Sequence, residues 1–259
     1  MNLKQCPYVN NLINNIKDKI ISSLEDNFIG IYLYGSATAG DFDPNLSDID
    51  LITIIKSDLS KEEFNTLKKM HTQLVTENLD WRDRIEVIYL TLDGLKNFKN
   101  KRTEVAKISP GEPFHLKEIG DEYLINWYVA RQNSIALFGP DPKNIFPEIS
   151  VEEYKEAIKA QTLLWKDSLC EYTLKSTRGS LAYAILTLCR ALYSKEFGVQ
   201  TSKIKSAEWT IKKFPQWKEL ISEAIEWRKV QWQTNQKKID NKLPQALEFL
   251  KFTVSRITK

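Results

Sequence analysis

Two aspartates, Asp48 and Asp50, open a run that is otherwise apolar, Ile49 and then Leu51-Ile52-Thr53-Ile54-Ile55. On an extended chain, residues two apart point to one face, so both carboxylates face the same way at the start of a β-strand. Two such charges repel each other unless a cation sits between them. Mg²⁺ suits the pair, because it takes hard oxygen ligands and completes its shell with phosphate oxygens and water. A third carboxylate, Glu86, interrupts a second apolar run, Ile85 and Val87-Ile88-Tyr89-Leu90. Inside a buried strand it costs stability unless it is paired or bound to metal. Three acidic side chains on adjacent strands can hold one or two metal ions for an in-line displacement at phosphorus. In isolation Asp48 could as well cap a turn and Asp50 end an exposed strand. Glu86 moves the reading toward chemistry.

Gly35-Ser36 stands eleven residues ahead of Ser47-Asp48-Ile49-Asp50. Glycine permits a tight turn with exposed amides, which form anion-binding concavities, and a serine hydroxyl can donate to a phosphate oxygen. The pair says little alone; with the carboxylates downstream it completes a phosphate-handling set. Arg190 is a further candidate, as the only charge in the apolar stretch Leu181 to Tyr193. A helix apolar on every face is buried. A buried guanidinium then needs an anion: a phosphate, which fits its fork, or a carboxylate of the N-terminal half.

These residues need elements to hold them. Leu12, Ile13, Ile16, Ile20 and Ile21 recur at helical spacing. Phe28 to Tyr34, Ile49 to Ile55 and Arg84 to Leu90 predict strands, the first ending on the Gly35-Ser36 turn. Ser60 with Glu63 predicts a capping box opening a helix that runs to about Thr76. Beyond Asp93-Gly94 the pattern loosens, and Ser109-Pro110-Gly111-Glu112-Pro113 is expected to be a loop that also carries His115 after it. A helix near residues 122–132 and a short strand at 134–138 lead to the break Gly139-Pro140-Asp141-Pro142. Past Ser150 everything is expected to be helical. The fold class is α+β: a mixed sheet with helices over residues 1–145, then an all-α helical-bundle domain over 146–259.

Gly35-Ser36, Asp48-Ile49-Asp50 and Glu86 resemble the signature of the DNA polymerase β-type nucleotidyltransferases. Leu33-Tyr34-Gly35-Ser36-Ala37 through Leu51 resembles the streptomycin/spectinomycin-type aminoglycoside adenylyltransferases. So do Ser134 to Pro140 and the helix bearing Leu186-Thr187-Leu188-Cys189-Arg190. The resemblance implies Mg²⁺ on Asp48 and Asp50, with Glu86 as a metal ligand and as the base for an acceptor hydroxyl. It implies ATP as co-substrate, its phosphates met by Gly35, Ser36, Arg190 and Lys203, the last with Lys205 as rival. ATP would then bridge the two domains, the C-terminal one completing the cleft for ATP and acceptor. The implied activity is AMP transfer to a hydroxyl of a small molecule, an aminoglycoside or aminocyclitol antibiotic first. The alternatives are transfer to another metabolite or a protein, or a non-catalytic nucleotide-binding or toxin–antitoxin partner.

Two departures concern the acceptor. Relatives carry Gly-Glu-Trp between the domains, where this chain has Gly111-Glu112-Pro113, leaving Glu112 as a candidate acceptor contact. They also carry an acidic run before the arginine helix, where this chain has Thr177-Arg178-Gly179-Ser180.

Composition excludes other classes. A hydrophobic fraction of 42% with 27% charged residues belongs to a soluble globular chain of 259 residues. The net charge of +3 is spread through mixed Lys/Glu faces, so no nucleic acid partner is expected. No apolar run reaches the roughly 18 residues of a membrane span. A cytoplasmic monomer is expected. Cys6, Cys170 and Cys189 show no paired spacing, and the tryptophans, Trp232 among them, lie at helical spacings that read as core.

Overall fold

A computed structural model describes residues 6–40, 42–172, 177–229 and 240–259, with the side chains of 166–172 and 240 left aside. The Cys170 side chain and all of Trp232 lie outside what is described. The chain divides into two compact units, Met1–Ile149 and Ser150–Lys259.

The first unit is built on a six-stranded sheet. Its strands are β1 (Phe28–Tyr34), β2 (Ile49–Ile55), β3 (Ile85–Thr91), β4 (Thr103–Ser109), β5 (Glu112–Ile119) and β6 (Ile135–Phe138), in spatial order β5-β4-β3-β2-β1-β6. Only β2 and β3 run parallel; every other neighbouring pair is antiparallel. A parallel pair needs a crossover, and the helix α3 (Lys61–Glu77) supplies it. Ser60 and Glu63 form the expected reciprocal capping box at its start. Helix α1 (Pro7–Leu24) and α3 cover one face of the sheet. Val9, Ile13, Ile16, Leu67 and Leu74 there meet Ile31, Leu33, Leu51, Val87 and Tyr89. The alternation of strands sends Tyr34, Asp50 and Glu86 to the other face. That face carries Tyr32, which meets Phe146 edge-on, while Phe146 stacks on Trp127 of α5 (Leu124–Asn133).

The segment expected to be loose is a β-hairpin. Thr103–Ser109 and Glu112–Ile119 pair antiparallel around Pro110-Gly111, with Gly111 at φ +76°. Glu112, Pro113 and His115 therefore belong to strand β5 rather than to a loop. β5 is an edge strand whose outward positions Leu116, Lys117 and Glu118 are exposed. An edge strand buries too few side chains to show a clean apolar period.

The second unit is helical: α7 (Val151–Tyr172), α8 (Arg178–Phe197), α9 (Lys203–Lys213), α10 (Lys218–Arg228) and α11 (Leu243–Ile257) follow the short α2 (Ser36–Ala39), α4 (Leu92–Asn97) and α6 (Pro142–Ile145) of the first. Helix α8 packs against α7, α9, α10 and α11, which is why its sequence is apolar almost all round. Buried Cys189 behaves there as a small hydrophobe. Among the described residues no helix is long and apolar enough to cross a membrane.

Candidate active site

The parallel register of β2 and β3 sets Asp50 opposite Glu86, and β1 sets Tyr34 opposite Asp50. One row of the sheet thus reads Tyr34, Asp50, Glu86 on a single face. Tyr34 is buried. Burial first, then the Glu86 and Asp50 carboxylates, push its phenol well above the ordinary range, so it stays neutral. Gly35 follows directly, at φ +70°, a region that favours glycine. Any side chain at position 35 would run into the Asp50 carboxylate. The Gly35-Ser36 turn therefore lies against Asp50, and Ser36 begins the short helix α2.

Asp48 sits just before β2 in a loop whose backbone groups are bonded to one another and to the side chains of Ser47 and Arg84. Leu46 and Ser47 donate their amides to the Asp43 carbonyl at 3.0 and 2.7 Å. The Asp43 amide donates to Ser47 Oγ at 3.0 Å. Arg84, only 7% exposed, reaches into this loop. Its Nη2 donates to the carbonyls of Pro44 at 2.8 Å and Ser47 at 2.5 Å, and its Nη1 to Asp80 O at 3.2 Å. The guanidinium lies 4.3 Å from the Trp81 ring centroid. The Arg84 carbonyl in turn accepts the Ile49 amide at 2.8 Å. Asp48 is thus bracketed: the residue before it and the residue after it are both bonded to Arg84. Burial pulls the Arg84 pKa down, and the Asp48 charge leads the interactions that oppose this.

Glu86 has a partner on β4. Lys107 Nζ lies 3.4 Å from Glu86 Oε1, with the two side chains 12% and 23% exposed. The same Nζ is 3.5 Å from Tyr123 Oη. Burial is the largest single influence and lowers the ammonium pKa, yet the Glu86 carboxylate and Tyr123 together more than offset it and the net shift is upward. Sequence reasoning missed both Arg84 and Lys107. An arginine just before a strand and a lysine inside an edge hairpin both look solvated until the fold closes over them.

Among the described residues no group of three or more His, Cys, Asp or Glu side chains converges as a metal site. The structure places Asp50 beside Glu86 but engages Glu86 with a lysine. Two aspartates with hard oxygens still fit Mg²⁺, which is commonly held by one or two carboxylates plus substrate phosphate. Glu112 accepts from Ser109 Oγ at 3.0 Å at the start of β5; this bond leads the effects that lower its pKa.

In the helical unit Arg190 is half-buried rather than buried. Tyr183, Thr187 and Arg190 recur at helical spacing and form an incompletely covered stripe of α8, Tyr183 being 45% exposed. No carboxylate among the described residues pairs with Arg190. Lys203, at the start of α9, places its Nζ 4.4 Å from the Tyr183 ring centroid, and that ring stacks on Trp165 at 5.8 Å.

With this geometry in place, comparison with known proteins is informative. Residues 17–109 match the nucleotidyltransferase domain family, and residues 144–256 match the C-terminal domain of aminoglycoside adenylyltransferases. A spectinomycin 9-adenylyltransferase of Staphylococcus aureus is 29% identical over 227 residues, covering 80% of this chain and 83% of the relative. An aminoglycoside (3'') (9) adenylyltransferase of Escherichia coli is 23% identical over 97% of this chain and 95% of its own length. The crystal structure of spectinomycin adenyltransferase AAD(9) from Enterococcus faecialis, with ATP and spectinomycin, shares the fold. It superposes with a TM-score of 0.73 at 17% identity, over 96% of this chain and 99% of that one. A match to the nucleotidyltransferase domain is thus followed, in order along the chain, by a match to the C-terminal domain of aminoglycoside adenylyltransferases, and both parts of the chain are similar to enzymes of that kind.

Proposed function

We propose that the chain is a Mg²⁺-dependent O-adenylyltransferase that moves AMP from ATP onto a hydroxyl of a spectinomycin-like aminocyclitol. The observation that carries this is the row in which Asp50 stands opposite Glu86 while the Gly35 turn lies against Asp50. Glu86 takes the proton of the acceptor hydroxyl. The freed oxygen attacks the α-phosphorus in line as the bond to pyrophosphate breaks. When bound on Asp48 and Asp50, Mg²⁺ supplies positive charge that offsets what builds up on the phosphates and the leaving group. The Gly35-Ser36 turn offers amides and a hydroxyl to phosphate oxygens, and Arg190 and Lys203 are the cations that the family resemblance assigns to phosphate.

The acceptor is argued from charge. Streptomycin carries guanidinium groups, and a site that binds it tightly needs carboxylates for them. At 177–180 this chain has none: Thr177 and Ser180 spend their side chains on a capping box, and Arg178 is an exposed cation. Losing one charged contact costs about 1.5–3 kcal/mol, ten- to more than a hundredfold in affinity. Spectinomycin is the better acceptor. The test is pyrophosphate release from ATP with spectinomycin, with streptomycin and with no acceptor, each with and without chelation of Mg²⁺. Spectinomycin- and Mg²⁺-dependent release is expected. Streptomycin turnover at matched efficiency would break the charge argument, and no release with any aminocyclitol would break the function.

A further inference from the structure

The ion pair between Lys107 and Glu86 has no place in the reaction as written above, yet it touches the residue on which the proton transfer depends. Lys107 lies opposite Ile88 on β4, so its side chain shares the face of Ile88 and Glu86. It reaches diagonally to Glu86 Oε1 at 3.4 Å, and Tyr123 Oη stands 3.5 Å from the same nitrogen. Both charges are mostly shielded, which strengthens the pair relative to one in water. Asp50 is Glu86's neighbour in the next strand, and its negative charge pushes the Glu86 carboxylate away. A glutamate has three side-chain torsions, and without a cation to hold it nothing fixes which oxygen faces the acceptor.

We propose that Lys107 is a positioning residue for the proton transfer: by engaging Oε1 it keeps Glu86 out of the metal's ligand set and leaves Oε2 open to the acceptor hydroxyl. This rests on the reading of Glu86 as the base. The proton passes from the acceptor oxygen to Oε2, the new bond forms from that oxygen to the α-phosphorus, and pyrophosphate departs with the broken bond's electrons. Lys107 keeps all its protons throughout. The sign of its effect separates geometry from charge. A cation beside a base weakens that base, so removing a purely electrostatic Lys107 would speed the chemical step. Removing a positioning Lys107 slows it.

The experiment is a double-mutant cycle on the full chain, with Lys107→Met, Lys107→Gln and Lys107→Arg in the wild-type and Glu86→Gln backgrounds. Single-turnover AMP transfer, KM for ATP and calorimetric ATP·Mg²⁺ affinity are read, with circular dichroism to confirm folding. In Lys107→Met and Lys107→Gln the chemical step should fall by roughly 10–100-fold, the scale of a small misplacement of a reacting group. KM and affinity for ATP should stay within about twofold, a span under 0.5 kcal/mol. Lys107→Arg should recover part of the loss, and none of the three should cost anything further once Glu86 is Gln. An unchanged or faster step in Lys107→Met and Lys107→Gln overturns the proposal, as does an equal loss in both backgrounds or a collapse of ATP affinity. If Glu86→Gln alone keeps its chemistry, the base assignment fails instead, which the cycle separates from failure of the positioning role.

Discussion

Asp48 is bracketed by backbone on both sides, whereas Lys203 rests on the face of an aromatic ring. The carboxylates of the sheet unit are placed by strand register, by a glycine turn that admits no side chain, and by a buried guanidinium bonded to three carbonyls. The candidate phosphate cations of the helical unit are placed by softer means. Arg190 stands on a half-covered stripe of α8, and Lys203 is held at 4.4 Å by a ring that is itself 45% exposed. Register and carbonyl bonds are directional and fix a position closely, while a cation–π contact with a part-exposed ring is less directional and weaker. The contrast matches what the two proposed jobs would require. Metal and proton chemistry depend on fixed geometry, and a flexible triphosphate needs charge that can adapt.

The largest effect should come from the rigid side. Asp48→Asn and Asp50→Asn are close to isosteric. Asp50→Asn removes one of two like charges, so its melting temperature should hold or rise, whereas Asp48→Asn also removes the charge that favours buried Arg84 and should lower it modestly. Turnover should fall on the order of 10³-fold or more, since a metal supplies several kcal/mol of charge stabilisation. Near wild-type turnover at saturating Mg²⁺ in either variant would remove that aspartate from the metal site.

The rigid side was also the part most legible in the sequence. The spans of β1 and β2 and the Ser60–Glu63 capping box follow from unbroken apolar runs and local hydrogen-bond chemistry, both encoded over a few residues. What holds these elements together was not legible. Arg84 acts on Pro44 and Ser47, some forty positions back along the chain. Lys107 acts across β4 to β3 from a hairpin whose edge strand buries too little to show a period. Arg190 was expected to be buried because its helix is apolar. Its burial is partial because Tyr183, Thr187 and Arg190 line up on one stripe, a matter of packing partners that composition cannot show.

Arg84 allows an intermediate test of the contrast. Arg84→Met keeps apolar contact with Trp81 but leaves the carbonyls of Pro44 and Ser47 without their donor. The Ser47 carbonyl is buried and the Pro44 carbonyl only partly so. One buried unsatisfied group costs roughly 1–3 kcal/mol, so urea unfolding should show a loss of about that size. If bracketing Asp48 matters, the Mg²⁺ concentration giving half-maximal activity should also rise, by about tenfold on the 10–100-fold scale of lost metal-site support. Arg84→Lys, with a single point charge in place of a fork, should fall between. A variant that is destabilised but has an unchanged Mg²⁺ dependence would reduce Arg84 to a purely structural brace.

The smallest effect should lie on the soft side, at Tyr183. Its ring is stacked on Trp165 and faces the Lys203 ammonium, so Tyr183→Leu removes the cation–π contact and keeps an apolar side chain on α8. Such contacts at exposed sites are worth about 0.5–1 kcal/mol, or roughly two- to fivefold in an equilibrium. If Lys203 serves the triphosphate from this perch, KM for ATP should rise by about that factor while the chemical step is unchanged. Tyr183→Phe keeps the ring face and should behave as wild type, which separates the cation–π contact from any role of the hydroxyl. The same comparison in a Lys203→Met background should show no further change, because the ring then has no ammonium to hold. A loss in the chemical step with KM for ATP unaffected would invert the contrast. It would mean that Tyr183 works on the acceptor, and that the helical unit contributes geometry as exacting as the sheet's.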